Sequence, residues 1–124
     1  MILDHITLLV SDFETSKRFY QAALAPLGID IATEFDHVAG FGRDGKGEFW
    51  LHGSAPAQAQ QPMHIAFAAQ NREQVRAFYA AALQAGGHDH GAPGIRAIYH
   101  AHYYAAFIVG PEGHNIEAVC HTPA

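Results

Sequence analysis

Two stretches decide the fold: DHITLLVSDFETSKRFYQAAL, from Asp4 to Leu24, and MHIAFAAQNREQVRAFYAAAL, from Met63 to Leu83. They align without a gap at a constant offset of 59 residues, and eight of the 21 positions are identical. The identities are His5/His64, Ile6/Ile65, Glu14/Glu73, Phe19/Phe78, Tyr20/Tyr79, Ala22/Ala81, Ala23/Ala82 and Leu24/Leu83. A Leu or Ala match arises easily by chance. His-Ile and Phe-Tyr held in register together mark an internal repeat.

Each copy reads as a strand followed by a helix. Ile6, Leu8 and Val10 alternate with His5, Thr7 and Leu9, the two-residue period of a strand. Ser11 and Glu14 have capping-box spacing, and Ser16, Phe19, Tyr20, Ala23 and Leu27 follow at helical spacing until Pro26 and Gly28 end the run. In the second copy Ile65 and Phe67 alternate with His64 and Ala66. Asn71 is placed to cap a helix striped by Val75, Phe78, Tyr79, Ala82 and Leu83, and Gly86-Gly87 stops it.

Strand-like segments follow each helix. In the first half these are Ile29 to Thr33, His37 to Phe41 and, after the turn Arg43 to Lys46, Phe49 to Leu51. In the second they are Ala97 to Tyr99, Tyr103 to Val109 and, after the turn Pro111 to His114, Ile116 to Cys120. Each half therefore reads as βαβββ. The expected architecture is α+β: one domain over 1–124, made of two modules at about 1–53 and 62–124. The Ala-, Gln- and Pro-containing segment 54–61 joins them.

At 124 residues the chain is long enough to bury about two-thirds of its unfolded surface without staples. The formal charge is -5, and the seven Lys plus Arg form no basic stripe, which argues against nucleic acid as a partner. No apolar run reaches the ~20 residues that span a bilayer, and no signal-like segment opens the chain. A single cysteine, Cys120, suits a reducing cytoplasm and is read as buried and inert. Ten histidines stand out. His37, His52, His88, His90, His114 and His121 are read as surface or loop residues, and Tyr20 and Tyr79 as core.

Alternation also tells which side chains share a face. With Ile6, Leu8, Val10, Ile65, Phe67, Ile116 and Ala118 turned to the helices, His5, His64 and Glu117 project to the other face, beside the small residues Thr7, Ala66 and Ala68. Two imidazoles and one carboxylate are the facial-triad donor set, suited to Fe(II), Mn(II), Zn(II) or Ni(II) with positions left for water or substrate. The expected metal ligands are thus His5, His64 and Glu117.

The repeated βαβββ module, a His on the first strand of each half, and Pro111-Glu112-Gly113-His114-Asn115-Ile116-Glu117 near the end together resemble the vicinal-oxygen-chelate superfamily of glyoxalases, bleomycin-resistance proteins and extradiol dioxygenases. The resemblance covers essentially the whole chain. It implies a cupped mixed sheet with helices on its outer face, a metal in the cup, and in some members a homodimer that builds the site across its interface. It also implies a fourth ligand from the last strand of the first module. Here counting from the turn glycine gives Phe49 and matching the apolar pattern gives Trp50, neither a ligand. Glu48 or His52 would serve only after a register shift. The absent fourth ligand departs from a true glyoxalase I and leans toward the two-His, one-Glu dioxygenases. Against those, Phe107 falls where they carry a Tyr.

The segment RAIYHAHYY, Arg96 to Tyr104, combines a cation, three tyrosines and two histidines. It supplies candidates for proton transfer in His100, His102 and Tyr104, and for substrate contact in Arg96 and Tyr99, together with Thr7, Trp50 and Ala66. The functions to be weighed are a divalent-metal enzyme (lyase, isomerase or dioxygenase) acting on a small substrate with adjacent oxygens, and a metal-free ligand-binding or drug-sequestering protein of the bleomycin-resistance type.

Overall fold

The computed structural model describes residues 3–53 and 61–124. The order is β1 (Ile6–Val10), α1 (Phe13–Leu24), β2 (Asp30–Phe35), β3 (Val38–Gly42), β4 (Phe49–Gly53), then β5 (His64–Ala68), α2 (Arg72–Gln84), β6 (His88–Ile95), β7 (Tyr104–Val109) and β8 (Asn115–Cys120). Each module is βαβββ. Each folds into its own four-stranded sheet, ordered β1-β4-β3-β2 and β5-β8-β7-β6. In both, the first strand runs parallel to the last and the remaining pairs are antiparallel. The two sheets are not hydrogen-bonded into one. Most of the segment expected to link the modules lies outside the described residues.

The helices form where the stripes predicted. Phe13, Phe19, Tyr20, Ala23 and Leu24 of α1, and Val75, Phe78 and Ala82 of α2, are buried against Leu8, Val10, Phe41, Leu51, Ile108, Ile116 and Ala118 of the sheets in one shared core. Asn71 caps α2, its side chain accepting from the Gln74 N–H. The cap of α1 is Asp12 and not Ser11. The Asp12 carboxylate accepts from the Thr15 N–H, while the N–H groups of Ser11 and Asp12 both donate to Glu112, far along the chain. A carboxylate at that helix start is favoured by the dipole. The left-handed backbone at Glu112 (φ 64°), in the turn Pro111–Gly113, aims it there.

A second departure concerns β6. Ala97–Tyr99, expected as strand, lies in a turn. The strand is instead His88–Ile95, whose sequence HDHGAPGI has no apolar alternation. It is the edge strand, with register shifts around Gly91. An edge tolerates Pro93, and bulges absorb the glycines. Backbone pairing with β7 makes this strand, so periodicity did not reveal it.

Four features lock the modules together. Phe49 meets Phe67 edge-on, with ring centroids 5.2 Å apart. The Arg43 guanidinium donates to Leu27 O (2.8 Å) in its own module and to Ala68 O (3.1 Å) in the other. Glu112 holds the start of α1, and α1 and α2 pack on each other.

Candidate functional site

Register settles which side chains the repeat relates. Thr7 pairs with Trp50 across β1 and β4, and Ala66 pairs with Glu117 across β5 and β8. Thr7 and Ala66 are themselves 59 residues apart, so Trp50 occupies in the first module the place Glu117 occupies in the second. Phe49 belongs to the buried core. Trp50 lies across Gly40 and Gly47, where a methyl group would sit 2.8 Å and 2.6 Å from its ring, and its indole N–H donates to Gly47 O. The fourth donor position thus holds an apolar ring.

In the second module the expected pair meets. The side-chain nitrogen His64 Nε2 is 2.7 Å from Glu117 Oε1. Glu117 is 1% exposed, whereas the His64 side chain is 53% exposed. A carboxylate buried this deeply must be paired to be tolerated. The second partner is Tyr103, whose hydroxyl donates to Glu117 Oε2 at 2.5 Å. Burial, and then the bond to Glu117, push the Tyr103 hydroxyl up to about 12, so it remains a donor at neutral pH. The Glu117 carboxylate is therefore gripped from both sides, and only His64 opens outward.

Sequence reading named Tyr104 and missed its neighbour Tyr103. The signal lay in strand parity: Phe107 pairs with Glu117, so odd-numbered residues of β7 share its face. Tyr104 points the other way. Its ring lies under the guanidinium groups of Arg72 and Arg76 of α2. His100 reaches the cluster's rim, where its Nε2 lies 2.8 Å from His121 Nδ1 and its ring stands edge-on to Tyr103. The His100 Nδ1 accepts from the His102 N–H, and the His102 side chain is exposed.

His5 joins neither His64 nor Glu117. Its Nδ1 donates to Asp4 at 2.7 Å. That bond, with a second from Lys46, holds the Asp4 carboxyl below the usual carboxylate range. A neutral imidazole that donates through Nδ1 presents Nε2 as its lone-pair nitrogen, the arrangement in which a carboxylate orients a ligating imidazole. Among the described residues no three His, Cys, Asp or Glu side chains converge to hold a metal. The donor chemistry of His64 and Glu117 fits a divalent ion, and one chain supplies two of the three expected ligands at one point. Glu48 and His52 do not complete the set. The substrate-contact candidates divide likewise: Thr7 and Trp50 lie on the first module, Ala66 beside Glu117, and Arg96 and Tyr99 with His64 around a cavity of about 430 Å³.

His114, expected at the surface, is fully buried. Its Nδ1 accepts from the Met63 N–H, tying the start of β5 to the turn before β8, and burial holds its pKa below the ordinary value. Cys120 is buried as expected. No helix among the described residues is long and apolar enough to cross a membrane.

The family model described as Glyoxalase/Bleomycin resistance protein/Dioxygenase superfamily matches residues 2–118. The chain belongs to that superfamily. A glyoxalase/bleomycin resistance protein from Albidiferax ferrireducens T118 is 29% identical, with a TM-score of 0.83 over 98% of this chain and 100% of its own. A family enzyme from Burkholderia phytofirmans PsJN is 18% identical, with a TM-score of 0.72 over 96% of this chain and 98% of its own. A glyoxalase-related enzyme from Fulvimarina pelagi is 17% identical, with a TM-score of 0.68 over 95% of this chain and 86% of its own. At such identities the last two speak for the fold alone. No functionally curated protein matches the chain.

Proposed function

We propose that this superfamily member is a divalent-metal-dependent enzyme of glyoxalase or dioxygenase type. It would act on a small substrate with adjacent oxygens, by lyase, isomerase or dioxygenase chemistry, and its site would be completed between two copies of the chain. One observation carries the reading. His64 Nε2 and Glu117 Oε1 meet at 2.7 Å, on a carboxylate that is otherwise buried and held by Tyr103. Tyr103 satisfies one carboxylate oxygen and His64 the other, and of the two partners it is the half-exposed imidazole that opens toward solvent, where an ion could be reached. The third ligand is then His5 of a second copy, presented by Asp4 through Nδ1 with Nε2 bare. Fe(II), Mn(II), Zn(II) and Ni(II) all suit two imidazoles and a carboxylate. When bound, such an ion supplies Lewis-acid polarisation of a substrate oxygen. The chain's own part is to fix the Glu117 carboxylate through the Tyr103 hydroxyl, to bring His64 to the cavity, and to place Trp50 as an apolar wall.

A second reading is favoured by the lack of a third converging ligand among the described residues of one chain: a metal-free ligand-binding protein of the bleomycin-resistance type. Complementation separates the two. His5→Ala and His64→Ala are each expected to bind no Ni(II) or Zn(II). Mixed and allowed to exchange subunits, they regain one intact site per mixed dimer and bind metal again. Wild-type protein that binds neither these ions nor Mn(II) or Fe(II) defeats the enzyme reading and leaves the metal-free one. Metal binding by wild type without recovery in the mixture defeats the shared site.

A further inference from the structure

The bulged edge of the second sheet holds a cation that forms no ion pair among the described residues. The Arg96 guanidinium donates to Ala92 O at 2.8 Å and Gly94 O at 2.9 Å, and stands over the Phe107 ring, 5.3 Å from its centroid. Its seat exists because of two glycines. A methyl group at Gly91 would lie 3.0 Å from one terminal nitrogen, and one at Gly94 3.2 Å from the other. The Arg96 N–H also donates to Tyr103 O at 2.7 Å, which closes the 96–103 loop at its base and ties Arg96 to the residue that grips Glu117. An arginine carries five N–H donors. The two carbonyl bonds leave three for a ligand. Among the described residues no carboxylate lies within ion-pair distance of it. The group is thus rigid, charged and uncompensated, and it shares the roughly 430 Å³ cavity with His64, Tyr99 and Phe107.

We infer that Arg96 is a specificity residue that receives the carboxylate of a small, planar, monoanionic substrate, the rest of the molecule lying along Tyr99 and Phe107 toward His64. This deepens the proposed enzymatic reading by naming the substrate class, but the binding itself needs no metal. A single guanidinium matches one negative charge, and its planar fork matches a carboxylate. The flanking rings take up a flat apolar body; Tyr99 is 64% exposed and stacks on Tyr103 with centroids 4.7 Å apart.

The probes are benzoate and its uncharged isostere benzamide, titrated calorimetrically or by NMR into the full chain after removal of metal and then of chelator, at low ionic strength. Wild type is expected to prefer benzoate by at least about tenfold, the ordinary scale of a charge-assisted hydrogen bond. R96Q is expected to abolish the preference, and R96K, which keeps the charge but not the fork, to retain part of it. The inference is overturned if wild type binds both probes alike or neither saturably, or if the preference survives in R96Q. Because every titration is metal-free, a benzoate preference in protein that takes up no metal would leave this inference standing while the metalloenzyme reading fell, and the reverse result would separate them the other way.

Discussion

Replacing Tyr103 by Phe removes one oxygen and nothing else. The ring stays, with its contacts to Tyr99, His100 and His121. What is lost is the 2.5 Å hydrogen bond to Glu117 Oε2 on a carboxylate that is 1% exposed, leaving that oxygen buried without its donor. A hydrogen bond to a charged group contributes about 1.5–3 kcal/mol, and an orphaned buried acceptor incurs its full desolvation cost. For a domain of this size each kcal/mol moves the melting temperature by about 3–5 °C, so Tyr103→Phe is expected to lower it by about 5–15 °C. The assay is thermal unfolding of metal-free protein near pH 7, run as a double-mutant cycle with Glu117→Gln. In the Glu117→Gln background the same Tyr103→Phe change should cost about 1 kcal/mol or less, because a neutral amide is cheaper to leave partly unpaired. A Tyr103→Phe variant that melts with wild type, or an equal loss in both backgrounds, would refute the claim that this hydroxyl holds the carboxylate.

Other substitutions probe other contacts. His114 is buried with a lowered pKa, so the unfolded chain takes up its proton first: the stability it confers is whole above about pH 6.5 and declines as pH falls below that value. His114→Asn, whose Oδ1 can still accept from the Met63 N–H, should flatten the fall in melting temperature between neutral and mildly acidic pH. A methyl group at Gly40 would press on three atoms of the Trp50 ring at 2.8–2.9 Å; Gly40→Ala should cost about 1–3 kcal/mol and shift the emission of the chain's one tryptophan, both read in a denaturant titration. Phe49 is 4% exposed and packs on Tyr20, Phe41 and Phe67, so Phe49→Ala should lose about 3–5 kcal/mol in the same titration.

The repeat at a 59-residue offset was enough to establish two βαβββ modules, both helices and the face on which His64 and Glu117 meet. These features follow from local periodicities: side chains two apart on a strand or three and four apart on a helix share an environment wherever the chain lies. The same alternation placed His5 and Thr7 away from the helices. It could not say that His5 would turn to Asp4, because whether two distant strands bring their faces to one point depends on how the modules dock. That docking is set by Phe49 on Phe67, Arg43 on Ala68 and Glu112 on α1, all contacts between residues far apart along the chain. The edge strand His88–Ile95 was hidden for a related reason: its partner β7 supplies the hydrogen bonds, and its own side chains carry no pattern. Tyr103 was distinguishable from Tyr104 only once the pairing of Phe107 with Glu117 fixed the parity of β7, since a slip of one residue exchanges the faces. Sequence by itself determined which groups lie on which side of each sheet. The tertiary structure decided which of those groups touch, because register and docking are set by long-range contacts that no local period encodes.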